Sequence, residues 1–204
     1  MMIRIVDYGV GNIQAFVNMF QRLDVHVARA QAPGDLADAT GLILPGVGAF
    51  DHAMTLFNRS GMRERLEERV LGEKVPVLGV CVGMQMLAQG SDEGALPGLN
   101  WIPGRVRALS QDSRSAHLPM PHMGWNDVCH TRGPLFEGFE AGARFYFLHS
   151  FYFECEDSGH VSATAEYGFP FACAVSDGNV HGIQCHPEKS HRFGAQLLKN
   201  FARL

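Results

Sequence analysis

Two stretches of this 204-residue chain hold residues whose types and spacing could do chemistry: GVCVGMQ at 79–85 and QCHPEKS at 184–190. Cys81 stands among small residues where an apolar run, VPVLGV (75–80), passes into GMQMLAQ, which reads as a helix. A strand that turns sharply into a helix around a reactive side chain is the cysteine counterpart of the nucleophile elbow. A helix start adds free N–H groups and the positive end of a dipole, which favour thiolate over thiol and can also hold an oxyanion. The competing reading is a buried structural cysteine, since free cysteine is among the most buried residue types.

A thiol nucleophile needs a base, and the base needs a group that orients it. His186 and Glu188 fit that need. Pro187 disfavours a helical conformation at His186, and in an extended segment residues two apart project to one side. Glu188 could then hold one imidazole nitrogen while the other faces Cys81. The alternative is a histidine closing a strand beside a solvated Glu188 and Lys189. A metal site fits poorly, because there is no C-x-x-C or H-E-x-x-H and Cys185 next to His186 cannot complete a four-ligand set.

The elements that must position these groups follow from periodicity. MIRIV (2–6) alternates like a strand, and Ile13, Phe16, Val17 and Phe20 form one face of a helix beginning near Asn12. Further strands are read at 25–30, 41–45 and 75–80, with a charged helical stretch over 60–74. Such alternation implies a mostly parallel sheet covered by helices. The second half changes character: strands are expected over 143–155 and 161–167, and a hairpin over 171–186 turns at Asp177-Gly178. Residues 109–122 read as one long loop, and Phe193, Leu197, Leu198, Phe201 and Leu204 mark a final amphipathic helix.

Composition narrows the function classes. With 46% hydrophobic and 19% charged residues, a net charge of −4 and pI near 6.2, the chain has no basic excess for gripping nucleic acid. No stretch approaches the roughly 20 apolar residues needed to span a bilayer, and the start MMIRIVDYGVGN lacks a signal-peptide core, so no membrane association is expected. Five cysteines without short paired spacings fit a reducing cytoplasm. DYGVGN fails the dinucleotide fingerprint because position 14 is Gln14, and LPGVGAF (44–50) lacks the Gly-Lys-Ser/Thr ending of a phosphate loop, so both read as tight turns.

Taken together, GVCVGMQ, QCHPEKS and LPGVGAF resemble the motifs of the class I (triad) glutamine amidotransferases. Within that family DYGVGN, PHMGWN (121–126), FYFLHSFY (145–152) and HPEKS are most similar to the glutaminase subunits of imidazole glycerol phosphate synthases. The resemblance covers essentially the whole chain. It implies one amidotransferase domain over 1–204, an α/β flavodoxin-like three-layer sandwich with a mostly parallel central sheet and an antiparallel extension in the C-terminal half. It implies that Cys81 attacks the side-chain amide of L-glutamine, that His186 protonates the departing ammonia, and that Glu188 orients His186. The oxyanion hole maps onto the backbone N–H groups of Val47 and Val82, and glycines flanking Val47 would let its peptide reorient. Glutamine contacts map onto Gly48, Gln85, Glu93 and Ser150; without the resemblance, Gln85 and Glu93 read as ordinary surface residues.

The implied partner is a (β/α)8 barrel cyclase that receives ammonia directly, because ammonia in neutral water is mostly ammonium and has no lone pair to attack with. Asn12, Trp125, Tyr146 and Lys189 map toward that interface; their other readings are helix capping, core packing, strand packing and a solvated charge. Glutaminase activity is expected to be weak until partner and nucleotide bind. No organic cofactor or metal is implied. Ala15 stands where histidine-pathway members commonly carry serine, which leaves open a paralogous subunit feeding amidine formation on surface-polysaccharide sugars. Two readings from other classes stay open: a stand-alone cysteine peptidase or amidase, and a flavodoxin-like binding module with no chemistry.

Overall fold

The structure, a computed structural model, describes residues 1–130 and 133–204. The N-terminal half alternates strands and helices: β1 (Met2–Val6), α1 (Ile13–Arg22), β2 (His26–Ala30), β3 (Gly41–Gly46), α2 (Phe50–Arg59), α3 (Arg63–Glu67), β4 (Val77–Cys81) and α4 (Val82–Gln85). The C-terminal half is strand-rich: β5 (Gly104–Ala108), β6 (His122–Asp127), β7 (Cys129–His130), β8 (Arg144–His149), β9 (Phe151–Cys155), β10 (Val161–Glu166), β11 (Pro170–Asp177) and β12 (Val180–Ile183), closed by α5 (His191–Phe201).

Among the described residues ten strands share one sheet, whose parallel part runs β2-β1-β3-β4-β12. Every residue of β3 and β4 is buried. Since successive side chains point to opposite faces, uniform burial means that both faces are covered, which is why these strands read as short apolar runs without alternation. From β12 the sheet continues antiparallel through β11 and β10 to β7, with β9 also on β11 and β5 on β9. The expected parallel centre and antiparallel extension are both present.

Helix α1 buries Ile13, Phe16 and Phe20 and starts where the Asn12 side chain accepts from the Ala15 N–H at 3.3 Å. It packs against α5, which buries Leu197, Leu198 and Phe201; Leu204 lies beyond the helix end and is exposed. Helix α2, which the sequence reading leaves out, buries Phe50, Ala53, Met54 and Phe57 and packs against α4. The charged stretch is helical over α3 and then widens to a π-helical segment, Glu68–Gly72.

Two boundaries differ from expectation. The single strand expected over 143–155 is two strands in two sheets: among the described residues β8 pairs with β6 alone, while β9 pairs with β5 and β11. The break falls at Ser150, whose carbonyl accepts from the Leu109 N–H at 2.9 Å. Apolar alternation runs straight through that point, so periodicity could not reveal it. In the final hairpin Asp177 pairs with Val180, so the loop is Gly178-Asn179, one residue later than expected, with Gly178 at φ +55°.

Candidate active site

Cys81 ends β4 with φ 56° and ψ −114°. A non-glycine residue held there costs about 1–3 kcal/mol and persists only when its surroundings over-determine it. Three glycines do so by letting backbones touch. A Cβ on Gly83 would overlap the Leu44 carbonyl oxygen, one on Gly79 would lie 2.6 Å from the Gly83 oxygen, and one on Gly46 would lie 2.5 Å from the Gly83 nitrogen. Gly46 is therefore needed for packing of the elbow, a reason separate from the mobility expected of the Val47 peptide. Gly48, at φ +83° with open space around it, is the position there whose conformation favours glycine. The helix after the elbow is only four residues long, shorter than GMQMLAQ implies, so its dipole is correspondingly small.

His186 follows β12, and Glu188 lies in a short helical turn, Pro187–Lys189, in place of the extended segment expected. The two still meet, with His186 Nδ1 2.8 Å from Glu188 Oε1 and side chains only 6% and 4% exposed. Burial alone would lower the basicity of His186. The neighbouring Cys81 sulfur and the hydrogen-bonded Glu188 carboxylate outweigh it and raise the imidazole to about 10. The imidazole thus links the carboxylate to the thiol. Glu188 Oε2 is buried with no partner among the described residues.

Beside the elbow lies a cavity of about 220 Å³ lined by Gly48, Gln85, Glu93, Pro121, Leu148, His149, Ser150 and Phe151. It brings together all four residues mapped to glutamine contact, and it is smaller than the ~300–1,000 Å³ usual for drug-sized ligands. Gln85 is buried, so the surface reading fails for it. Glu93 is exposed and also caps α2, where its Oε2 accepts from the Phe50 N–H at 2.8 Å. The sulfur of Cys81 lies 4.0 Å from the Leu148 carbonyl oxygen on the cavity wall.

Val47 and Val82 follow the paired strand ends Gly46 and Cys81, so their peptides leave the sheet side by side. A narrow crevice lined by Gly11, Asn12, Pro45, Gly46, Val47, His186 and Glu188, among others, connects Asn12 with the imidazole and carboxylate. Nearby, Trp125 stacks on His191 at 5.4 Å and meets Tyr146 edge-on at 6.4 Å, while Lys189 Nζ lies 5.5 Å from the Tyr146 ring centre. Trp125 is 41% exposed and Met123 65% exposed, so core packing does not describe Trp125.

The "Glutamine amidotransferase class-I" family model matches residues 4–204. The chain belongs to that family. Among curated relatives of this amidotransferase, "Imidazole glycerol phosphate synthase subunit HisH" of Bdellovibrio bacteriovorus is 59% identical over 204 residues, covering all of both chains. The protein of the same name from Leptospira borgpetersenii is 47% identical, again covering all of both chains. A solved structure described as a glutamine amidotransferase superposes with a TM-score of 0.77 at 19% identity over 99% of each chain, a likeness of fold.

Sequence reasoning missed several residues around the amidotransferase site. Tyr8, in the stretch read only as a turn, donates its hydroxyl to the Pro45 carbonyl at 2.6 Å and so anchors the segment leading to Val47. Gln184, His122 and His149 are buried and hydrogen-bonded near the elbow. A buried polar side chain inside an apolar strand pattern was the available signal for Gln184, which stands two residues before His186.

Proposed function

We propose that this amidotransferase is the glutaminase subunit of an imidazole glycerol phosphate synthase, acting as one domain over residues 1–204. It hydrolyses L-glutamine to glutamate and ammonia and hands the ammonia to a (β/α)8 barrel cyclase. The observation that carries the chemistry is the His186–Glu188 pair, 2.8 Å apart, with the imidazole under the electrostatic influence of Cys81 beside a cavity of about 220 Å³. Whole-length likeness to HisH supports the pathway.

In this mechanism the Cys81 thiolate attacks the side-chain amide carbon of glutamine held by Gly48, Gln85, Glu93 and Ser150. The N–H groups of Val47 and Val82 receive the oxyanion, donors commonly worth about 10²- to 10³-fold each. His186, held protonated by its two partners, gives its proton to the departing nitrogen, so that ammonia leaves and a glutamyl thioester remains. The imidazole then takes a proton from water as the water oxygen attacks the thioester carbon, and the C–S bond breaks to release glutamate and restore the Cys81 thiolate beside the protonated imidazole. Glu188 holds Nδ1 as the donor throughout, keeping Nε2 toward the sulfur.

Asn12, Trp125, Tyr146 and Lys189 form the docking side, with Met123 adding exposed apolar surface to it. Among the described residues no helix is long and apolar enough to cross a membrane, and the cytoplasm is the proposed location. Titrating the chain with its barrel cyclase while measuring glutamate tests the assignment. Turnover should rise and saturate at one barrel per chain. A rate unchanged by that barrel, or raised only by a sugar-amidinating barrel, would overturn the pathway.

A further inference from the structure

Gln184 has no part in the mechanism above, yet it is completely buried and its side-chain Nε2 lies 3.8 Å from the Cys81 sulfur. Its Oε1 accepts from Gln85 Nε2 at 3.1 Å, and the same Gln85 nitrogen donates to the Phe151 carbonyl at 3.4 Å. That backbone oxygen can only accept. Gln85 must therefore present its NH₂ group, Gln184 must present its oxygen to Gln85, and the NH₂ of Gln184 is left for the sulfur. The orientation of both amides is fixed by one carbonyl.

The carbonyl is itself held. His149 Nδ1 lies 2.8 Å from the Phe151 oxygen and so carries the hydrogen, which leaves His149 Nε2 to accept from His122 Nδ1 at 2.9 Å. His122 Nε2 in turn accepts from Asn126 Nδ2 at 3.2 Å. Every donor and acceptor in this chain has one consistent assignment, with both imidazoles neutral. Burial favours that state, lowering His149 to about 3 and His122 to about 4.

We propose that Gln184 is a positioning residue that presents an N–H donor to the Cys81 sulfur and at the same time locks Gln85 in the orientation that reads glutamine, with the neutral His122–His149 pair fixing the direction of the whole chain. The inference rests on the proposed thiolate chemistry. A donor aimed at sulfur stabilises the thiolate, whereas an acceptor there opposes it. Gln184 thus couples nucleophile and substrate reader through one side chain.

Two near-isosteric variants separate the two roles. Gln184→Glu keeps an acceptor for Gln85 but sets a carboxylate against the sulfur; Gln184→Met keeps the volume and removes both hydrogen bonds. Iodoacetamide labelling of Cys81 is followed against pH, peptide by peptide, with the exposed Cys129 as internal reference. His186, Tyr8 and Cys185 are titratable neighbours of the sulfur and are unchanged in these variants. Gln184→Glu should move the labelling midpoint of Cys81 up by about one pH unit or more, a tenfold change in proton affinity. In complex with the barrel it should lose roughly tenfold or more in kcat with KM nearly unchanged, since a hydrogen bond to a charged group is worth about that much. Gln184→Met should lose kcat and also raise KM severalfold, because Gln85 is released.

Should either chain fail to fold by its circular dichroism melt, His149→Asn serves instead. It retains a donor for the Phe151 carbonyl and should preserve the Cys81 midpoint, whereas His149→Phe should shift it. Wild-type labelling midpoint, kcat and KM in folded Gln184→Glu and Gln184→Met, or no difference between His149→Asn and His149→Phe, would overturn the proposal. A wild-type complex that fails to hydrolyse glutamine would instead overturn the proposed function, and the labelling midpoints would still report on Gln184.

Discussion

Replacing Glu188 with glutamine removes one charge and almost no volume, at a carboxylate that is 4% exposed and 2.8 Å from His186. Hydrogen bonds to charged groups are worth about 1.5–3 kcal/mol and neutral ones about 0.5–1.5, so the imidazolium loses about 1–1.5 kcal/mol of support. The new NH₂ group adds a second penalty. If it occupies the place of Oε2, it is a buried donor where the present oxygen has no partner among the described residues; if it occupies the place of Oε1, it faces Nδ1 donor to donor. The second arrangement forces the wrong tautomer on the base. Together these predict a fall in kcat of roughly 10- to 100-fold, about 1.4–2.7 kcal/mol of barrier. KM should stay near wild type, because Glu188 does not line the glutamine cavity. Steady-state glutamate production in the complex with the barrel, measured across pH, is the assay. The alkaline limb should also move down, since the Glu188 hydrogen bond that helps raise His186 to about 10 is weakened. A kcat within twofold of wild type, or a rise in KM with kcat intact, would refute the assigned role of Glu188.

Gly83→Ala would drive a methyl group into the Leu44 carbonyl, backbone against backbone, so relief requires the elbow to shift. Overpacking of this kind costs about 1–3 kcal/mol, and glutamine turnover should fall more than a lowered melting temperature explains; a fully active variant would contradict the elbow geometry. Stability should depend on pH through His186. Its folded value is raised to about 10 above the ordinary 6.5, so its contribution is full below about 6.5 and is lost as pH rises to about 10. Urea unfolding at pH 6 and pH 9 should show wild type losing more stability on that rise than Cys81→Ala, and equal losses would show that the thiol does not hold the imidazole.

Much of the fold was legible because its signals are local. Uniformly apolar β3 and β4 and the Phe16 and Phe20 face of α1 announce strands and helix without any long-range information. The break at Ser150 was hidden because alternation continues across it while the hydrogen-bonding partners change from β6 to β5 and β11. Helix α2 carries the same local signal in Phe50, Ala53, Met54 and Phe57, whereas the Glu93 carboxylate that accepts from its Phe50 N–H comes from 43 residues away. At the site, Cys81, His186 and Glu188 were legible because a nucleophile, a base and an orienting carboxylate have few permitted spacings. Gln184 and the His122–His149 pair were not, because their importance lies in the direction of hydrogen bonds that link β6, the end of β8, the start of β9 and the residue after β12, which only the folded backbone defines. Met123 and Trp125 alternate in strand β6 with the buried His122 and the half-buried Gly124 and Asn126, yet they face outward and are exposed.

Glutamate release by wild type and by Cys81→Ala, each saturated with the barrel cyclase, tests the central claim most directly. Wild type should turn over glutamine and its Cys81 peptide should carry a transient glutamyl adduct on acid quench, while Cys81→Ala should fall to the uncatalysed background with its fold and barrel affinity intact. Undiminished turnover by Cys81→Ala, or a glutamyl adduct on another residue, would contradict the account.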